Sequence, residues 1–106
     1  MKLEGIKIKG TICLISNGHK SYEIFEADET FILKMAEVLI DKFEFKNQHE
    51  PLVGLDGCYM DLYRGQVKVT VGWDNWSGCF AMAYCHEGDS YIAKLGEYFN
   101  ENLNII

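Results

Sequence analysis

The stretch "VKVTVGWDNWSGCFAMAYC", Val67 to Cys85, decides the fold. Val67, Val69, Val71 and Trp73 recur at every second position with Lys68 and Thr70 between them, and side chains that alternate between two faces are the mark of a β-strand with one apolar side. "CFAMAYC", Cys79 to Cys85, is a second strand-like run. Asp74 to Gly78 joins the two with polar and small residues, so the pair is expected to form a hairpin. Trp73 then belongs to the core with the valines. Trp76 stands at the tip of the connection, where two readings are open: a lid folded over the hairpin, or an anchor of the kind tryptophan often supplies at interfaces.

Working outward, "CYMDLYR", Cys58 to Arg64, is a third strand joined to the hairpin through Arg64-Gly65. Cys58, Met60 and Leu62 suit a core, whereas two tyrosines flanking a carboxylate do not, so Tyr59, Asp61 and Tyr63 are expected outside. That outer row is either cross-strand packing on a solvated face or a recognition surface, since tyrosine offers contact area at small entropic cost. The preceding segment "KNQHEPLVGLDG" holds Pro51, the only proline, and two glycines, and is expected to be a connection.

The first third contains the strand-like runs "EGIKIKG", "TICLIS" and "SYEIFEA". Asn17-Gly18 is a strong hairpin signal and predicts a two-residue type I′ turn. In the returning strand, Tyr22, Ile24 and Glu26 share one face, with Glu23 and Phe25 on the other.

Two segments change period. In "ADETFILKMAEVLIDKFEF", residues 27–45, the apolar positions Phe31, Ile32, Met35, Leu39 and Phe43, with Val38 beside them, predict an amphipathic helix. Asp28 is its expected N-cap, and acidic residues in the first turn would suit the helix dipole. Glu37, Asp41, Lys34 and Lys42 fall toward the other side. "GDSYIAKLGEYFNENLNII", residues 88–106, shows a second stripe of Ile92, Leu95, Phe99 and Leu103, capped by Asp89 or Ser90. Gly96 within it would let the helix approach the sheet closely. The expected fold is a single α+β domain over residues 1–106, an antiparallel sheet packed against two amphipathic helices in the order βββα-βββα.

Ten basic against sixteen acidic residues leave a net charge of −6. Phosphate-backbone affinity comes mainly from Lys and Arg, so direct nucleic-acid binding is not expected, while a basic protein partner would be attracted. No apolar run is long enough to span a bilayer, and "MKLEGIKIKG" lacks an apolar signal segment, so a cytoplasmic protein is expected. The four cysteines, Cys13, Cys58, Cys79 and Cys85, are mostly in apolar runs and are expected as reduced, buried thiols.

No catalytic constellation, cofactor fingerprint or metal spacing is present. Asp56, Asp61, Asp74, Glu87 and Asp89 cluster in the second half but match no metal loop. His19, His49 and His86 are scattered, and the adjacency of Cys85 and His86 is not that of a nucleophile pair, because neighbouring strand side chains diverge. The expectation is no enzyme, no cofactor and no metal.

With its "GLDGCYMDLY" strand entry (54–63) and its "GWDNWSGCF" hairpin (72–80), this small acidic α+β chain resembles the bacterial immunity proteins of polymorphic and contact-dependent growth inhibition toxins. The resemblance spans mainly residues 54–85 and supplies no site residues of its own. It implies a cytoplasmic binder that occludes a cognate basic toxin domain, commonly a nuclease. The residues expected to make that contact are Asp56, Tyr59, Asp61, Tyr63, Asp74, Trp76 and Glu87, with carboxylates pairing to Lys and Arg and aromatics filling pockets. Two other readings stay open. One is an enzyme or small-ligand receptor with a pocket under the Trp76 loop and Asp74 or Asp56 as its polar group; the other is a self-associating module joined through an open edge of the first strand.

Overall fold

The computed structural model describes residues 10–25, 27, 30–47, 50, 52–53 and 57–102. Its elements are β1 (Thr11–Leu14), β2 (Lys20–Ile24), α1 (Phe31–Phe43), β3 (Lys46–Asn47), β4 (Leu52–Val53), β5 (Gly57–Arg64), β6 (Val67–Asp74), β7 (Gly78–Ala83) and α2 (His86–Asn102). The strands form one antiparallel sheet ordered β1-β2-β7-β6-β5-β3, with β4 also paired to β5. The class is α+β, as the alternation of periods predicts. The first expected strand, Glu26, the Asp28 cap, His49, Pro51, Asp56 and Leu103 lie outside the described residues.

Both helices lie against the same face of the sheet. Ile32, Met35 and Leu39 of α1 and Ile92, Leu95 and Phe99 of α2 close over Tyr22, Ile24, Met60, Leu62, Val69, Val71 and Ala81 in one core. The cross-strand register explains the choice of face: Met60 opposes Val71, Leu62 opposes Val69 and Val71 opposes Ala81, so the apolar alternation of three strands coincides. Gly96 behaves as the sequence suggests, since a side chain there would begin 2.9 Å from the Tyr22 ring.

Several local expectations are corrected. The segment 46–53 is not a bare connection but supplies β3 and β4, two short strands that follow the edge of β5. α1 begins at Phe31 behind Thr30, later than the sequence suggests, and has no acidic residue in its first turn. It ends at Glu44, a non-glycine residue at φ 64°, and the next N–H, from Phe45, donates to the carbonyl of Leu39 at 3.0 Å. That reversal turns Phe45 inward, where it is buried against Tyr91. α2 starts at His86, so neither Asp89 nor Ser90 caps it; the Gly88 N–H instead points at Cys85 Sγ, 3.4 Å away.

The β1–β2 turn is a three-residue loop rather than type I′. The Ile15 N–H donates to His19 O and the Gly18 N–H to Ile15 O, and of Asn17 and Gly18 only the glycine has positive φ. A right-handed turn followed by one left-handed residue twists the strands correctly without placing Asn17 at positive φ. Asn17 uses its side chain instead: Oδ1 accepts the His19 N–H at 2.8 Å, and Nδ2 donates to Ala83 O at 3.0 Å. None of the four cysteines forms a disulfide, yet only Cys79 is fully buried, the other three being half-covered.

Candidate interaction surface

The sheet face opposite the helices is built from Glu23 of β2, Phe80 and Met82 of β7, Lys68, Thr70 and Gly72 of β6, and Tyr59, Asp61 and Tyr63 of β5, as the registers require. The sequence places the tyrosine row there correctly. Across the middle runs Leu52, Tyr59, Gly72, Phe80 and Glu23, each the Cα partner of the next. Gly72 contributes no side chain, so the rings of Tyr59 and Phe80 meet over it with centroids 6.4 Å apart. A Cβ on Gly72 would lie 2.7 Å from the Phe80 ring, which is why the row needs glycine at that point.

One half of this face is closed upon itself. Thr70 Oγ1 donates to Asp61 Oδ1 at 2.6 Å. With its one proton committed there, the Thr70 oxygen must accept from Tyr84 OH, 2.8 Å away. Lys68 Nζ stands 3.8 Å from Asp61 Oδ2 and 4.6 Å from the centre of the Tyr84 ring. In register, Tyr63 lies between Lys46 and Lys68. Asp61 and Tyr63, both singled out from sequence, thus sit among neighbours that neutralise or oppose an acidic role.

The other half ends at the β6–β7 turn. Asp74 pairs with Gly78, which leaves a loop of Asn75, Trp76 and Ser77, shorter than the five residues expected. Gly78, the first residue of β7 and the partner of Asp74, adopts φ 71°. Asp74 Oδ1 accepts the N–H groups of Trp76 at 2.9 Å and Ser77 at 2.6 Å, holding the turn as an Asx-type loop. Trp76 projects from this frame at 71% exposure, so it is no lid over the hairpin. Trp73 shares the valine face as expected, but at the end of the strand it is only partly covered. Trp76→Ala is therefore expected to change the unfolding free energy by less than about 0.5 kcal/mol, whereas Trp73→Ala costs on the order of 2 kcal/mol. Urea melts of the two variants check this, and equal destabilisation would contradict the geometry.

Glu87, the last of the residues drawn from sequence, is exposed in the first turn of α2. The six residues of β7, at roughly 3.3 Å each, put about 20 Å between that turn and the Trp76 loop. Glu87 is not part of the same patch. Nearby, Asp89 faces inward: Oδ1 accepts the Lys20 N–H at 2.8 Å and Oδ2 meets His19 Nδ1 at 3.0 Å. Burial would raise the Asp89 pKa, but the hydrogen bonds from Lys20 and His19, with the nearby His86 ring, outweigh it and hold the carboxyl below its usual range. The group ties the β1–β2 hairpin to the start of α2. Among the described residues no cluster of His, Cys, Asp and Glu is arranged to hold a metal ion, and no helix is long and apolar enough to cross a membrane.

Among the exposed apolar residues not singled out from sequence, Phe25 and Leu52 bear on this face. Phe25 follows β2 directly, is 70% exposed, and its Cα would be 2.7 Å from a Cβ on Gly78. Leu52, 59% exposed, opposes Tyr59. Alternation already put Phe25 opposite Tyr22 and Ile24, so its exposure was legible. Leu52 carried no signal, because a two-residue strand has no period to detect. No protein-family model, curated protein or solved structure matches this chain.

Proposed function

We propose that this protein is a cytoplasmic immunity protein that binds a cognate basic toxin domain, a nuclease being the type that suits its charge best, and neutralises it by covering its active surface rather than by catalysis. The observation that carries this reading is a sheet face uncovered by helices, bearing exposed Tyr59 and ending at a turn that carries exposed Trp76, on a chain of net charge −6. Exposed aromatics beside carboxylates suit a partner whose Lys and Arg side chains otherwise hold phosphate. The resemblance of residues 54–85 to immunity proteins points the same way.

The experiment is the affinity of the purified chain for the product of the gene adjacent to its own, at two salt concentrations. A tight complex that weakens as salt rises is expected, together with loss of the toxin's activity in the mixture. Asp74→Asn is the informative charge variant, because it keeps an oxygen to hold the Trp76 and Ser77 N–H groups while removing the charge. It is expected to weaken binding by roughly 2 kcal/mol and to leave the melt nearly unchanged. No complex with that product, at either salt concentration, would reject the reading.

A further inference from the structure

The two halves of the outer sheet face are not equivalent, and the difference selects where a basic partner sits. Toward Tyr63 the register sets Lys46 and Lys68 on either side of the ring, and the Asp61 carboxylate is already engaged by Thr70 and Lys68. A cationic surface arriving there would meet like charge, and a carboxylate whose Oδ1 is held by Thr70 at 2.6 Å and whose Oδ2 already faces Lys68 at 3.8 Å. Toward the β6–β7 turn the position is reversed. Phe25, Leu52, Tyr59 and Trp76 are all exposed, and Tyr59 packs beside the buried Phe80 ring. Beside them stand Glu23, which opposes Phe80, and Asp74, whose two backbone hydrogen bonds both fall on Oδ1.

Resting on the immunity reading above, we propose that the centre of the toxin interface is this turn-ward half, formed by Phe25, Leu52, Tyr59, Trp76, Asp74 and Glu23, and that its occupant is a lysine or arginine of the basic partner flanked by apolar side chains. The cationic head pairs with Asp74 Oδ2 while the apolar flank lies against the exposed Trp76 and Tyr59 side chains, and Glu23, two strands away in register, adds negative charge from the β2 side. Aromatic anchors surrounded by a polar rim concentrate binding energy, and a cation set against an aromatic face gains further. The Asp61, Tyr63 and Lys68 end then lies at the rim.

Trp76 reports on this directly. In a Trp73→Phe background it is the single tryptophan, and its emission is expected to shift to shorter wavelength when the adjacent gene's product is added. Phe25→Ser, Leu52→Ser and Trp76→Ala are each expected to weaken the complex by about 30-fold or more, the size of an interface hot spot, and Tyr63→Ser and Lys68→Ala by less than about 3-fold. All are surface changes, and unaltered circular dichroism confirms the fold. A complex that forms with the Trp76 emission unmoved, or that depends on Tyr63 and Lys68 instead, overturns the assignment while leaving the immunity reading standing. Absence of any complex rejects both. A dimer of the chain alone that Trp76→Ala dissociates would show that a second copy covers the patch, and would also overturn it.

Discussion

Replacing Tyr22 by alanine is expected to lower the unfolding free energy by about 3 to 5 kcal/mol, a large share of what a domain of this size has in total. Tyr22 is fully buried, its ring lies parallel to Phe99 at 6.3 Å, and Gly96 of α2 closes down on it. Its hydroxyl donates to Asn100 Oδ1 at 2.8 Å, and the same oxygen receives the Gly10 N–H at 3.0 Å. One side chain thus ties together β2, the entry to β1 and the last turns of α2. Tyr22→Phe keeps the ring and is expected to cost only about 1 kcal/mol.

The phenol also gives that pair a pH signature. Burial pushes the Tyr22 pKa up to about 12, against the smaller opposing effect of the Gly10 backbone. The folded state therefore favours the neutral form, and its contribution is complete below the unfolded pKa near 10 and is lost as pH rises through about 12. The loss should reach on the order of 2 kcal/mol. Urea midpoints of parent and Tyr22→Phe, followed from about pH 9 to about pH 12, should converge and then cross, because the loss exceeds the parent's initial advantage of about 1 kcal/mol. Parallel curves would mean that the hydroxyl is not buried as described.

Gly78→Ala is expected to destabilise by about 3 kcal/mol or more, far beyond Gly18→Ala at about 1 kcal/mol. Both glycines stand at the β-hairpin turns at positive φ, 71° and 85°, Gly78 as the first residue after its loop and Gly18 as the last residue within its own. The difference lies in what surrounds them. A Cβ at Gly18 meets nothing within 4 Å, so alanine there suffers only the backbone penalty. At Gly78 it would fall 2.4 Å from the Ile24 carbonyl oxygen and 2.7 Å from the Phe25 Cα, both main-chain atoms that cannot rotate away. The β2–β7 ladder must then separate, and the Trp76 turn with it. Equal costs for the two variants in denaturant melts would refute the tight approach of β2 to this turn.

What the sequence determined by itself is what depends on period. The alternation of Val67, Val69 and Val71 against Lys68 and Thr70, and of Met60 and Leu62 against Tyr59 and Tyr63, specifies strands and faces whatever the neighbours are. The stripes Ile32, Met35, Leu39 and Ile92, Leu95, Phe99 specify helices in the same way. Both follow from backbone geometry that each residue shares with its chain neighbours. Tertiary structure alone decided the properties that depend on which strand lies beside which. Asp61 reads as a free carboxylate until the register sets Thr70 opposite it, and Tyr63 as an anchor until Lys46 and Lys68 flank it. Asp89 reads as a cap until the first hairpin brings His19 and Lys20 to it, and Leu52 joins the patch only because β4 pairs with β5. Local sequence carries the direction in which a side chain points, but the charge and space that it meets come from residues distant in the chain, and these decide whether it is available for binding.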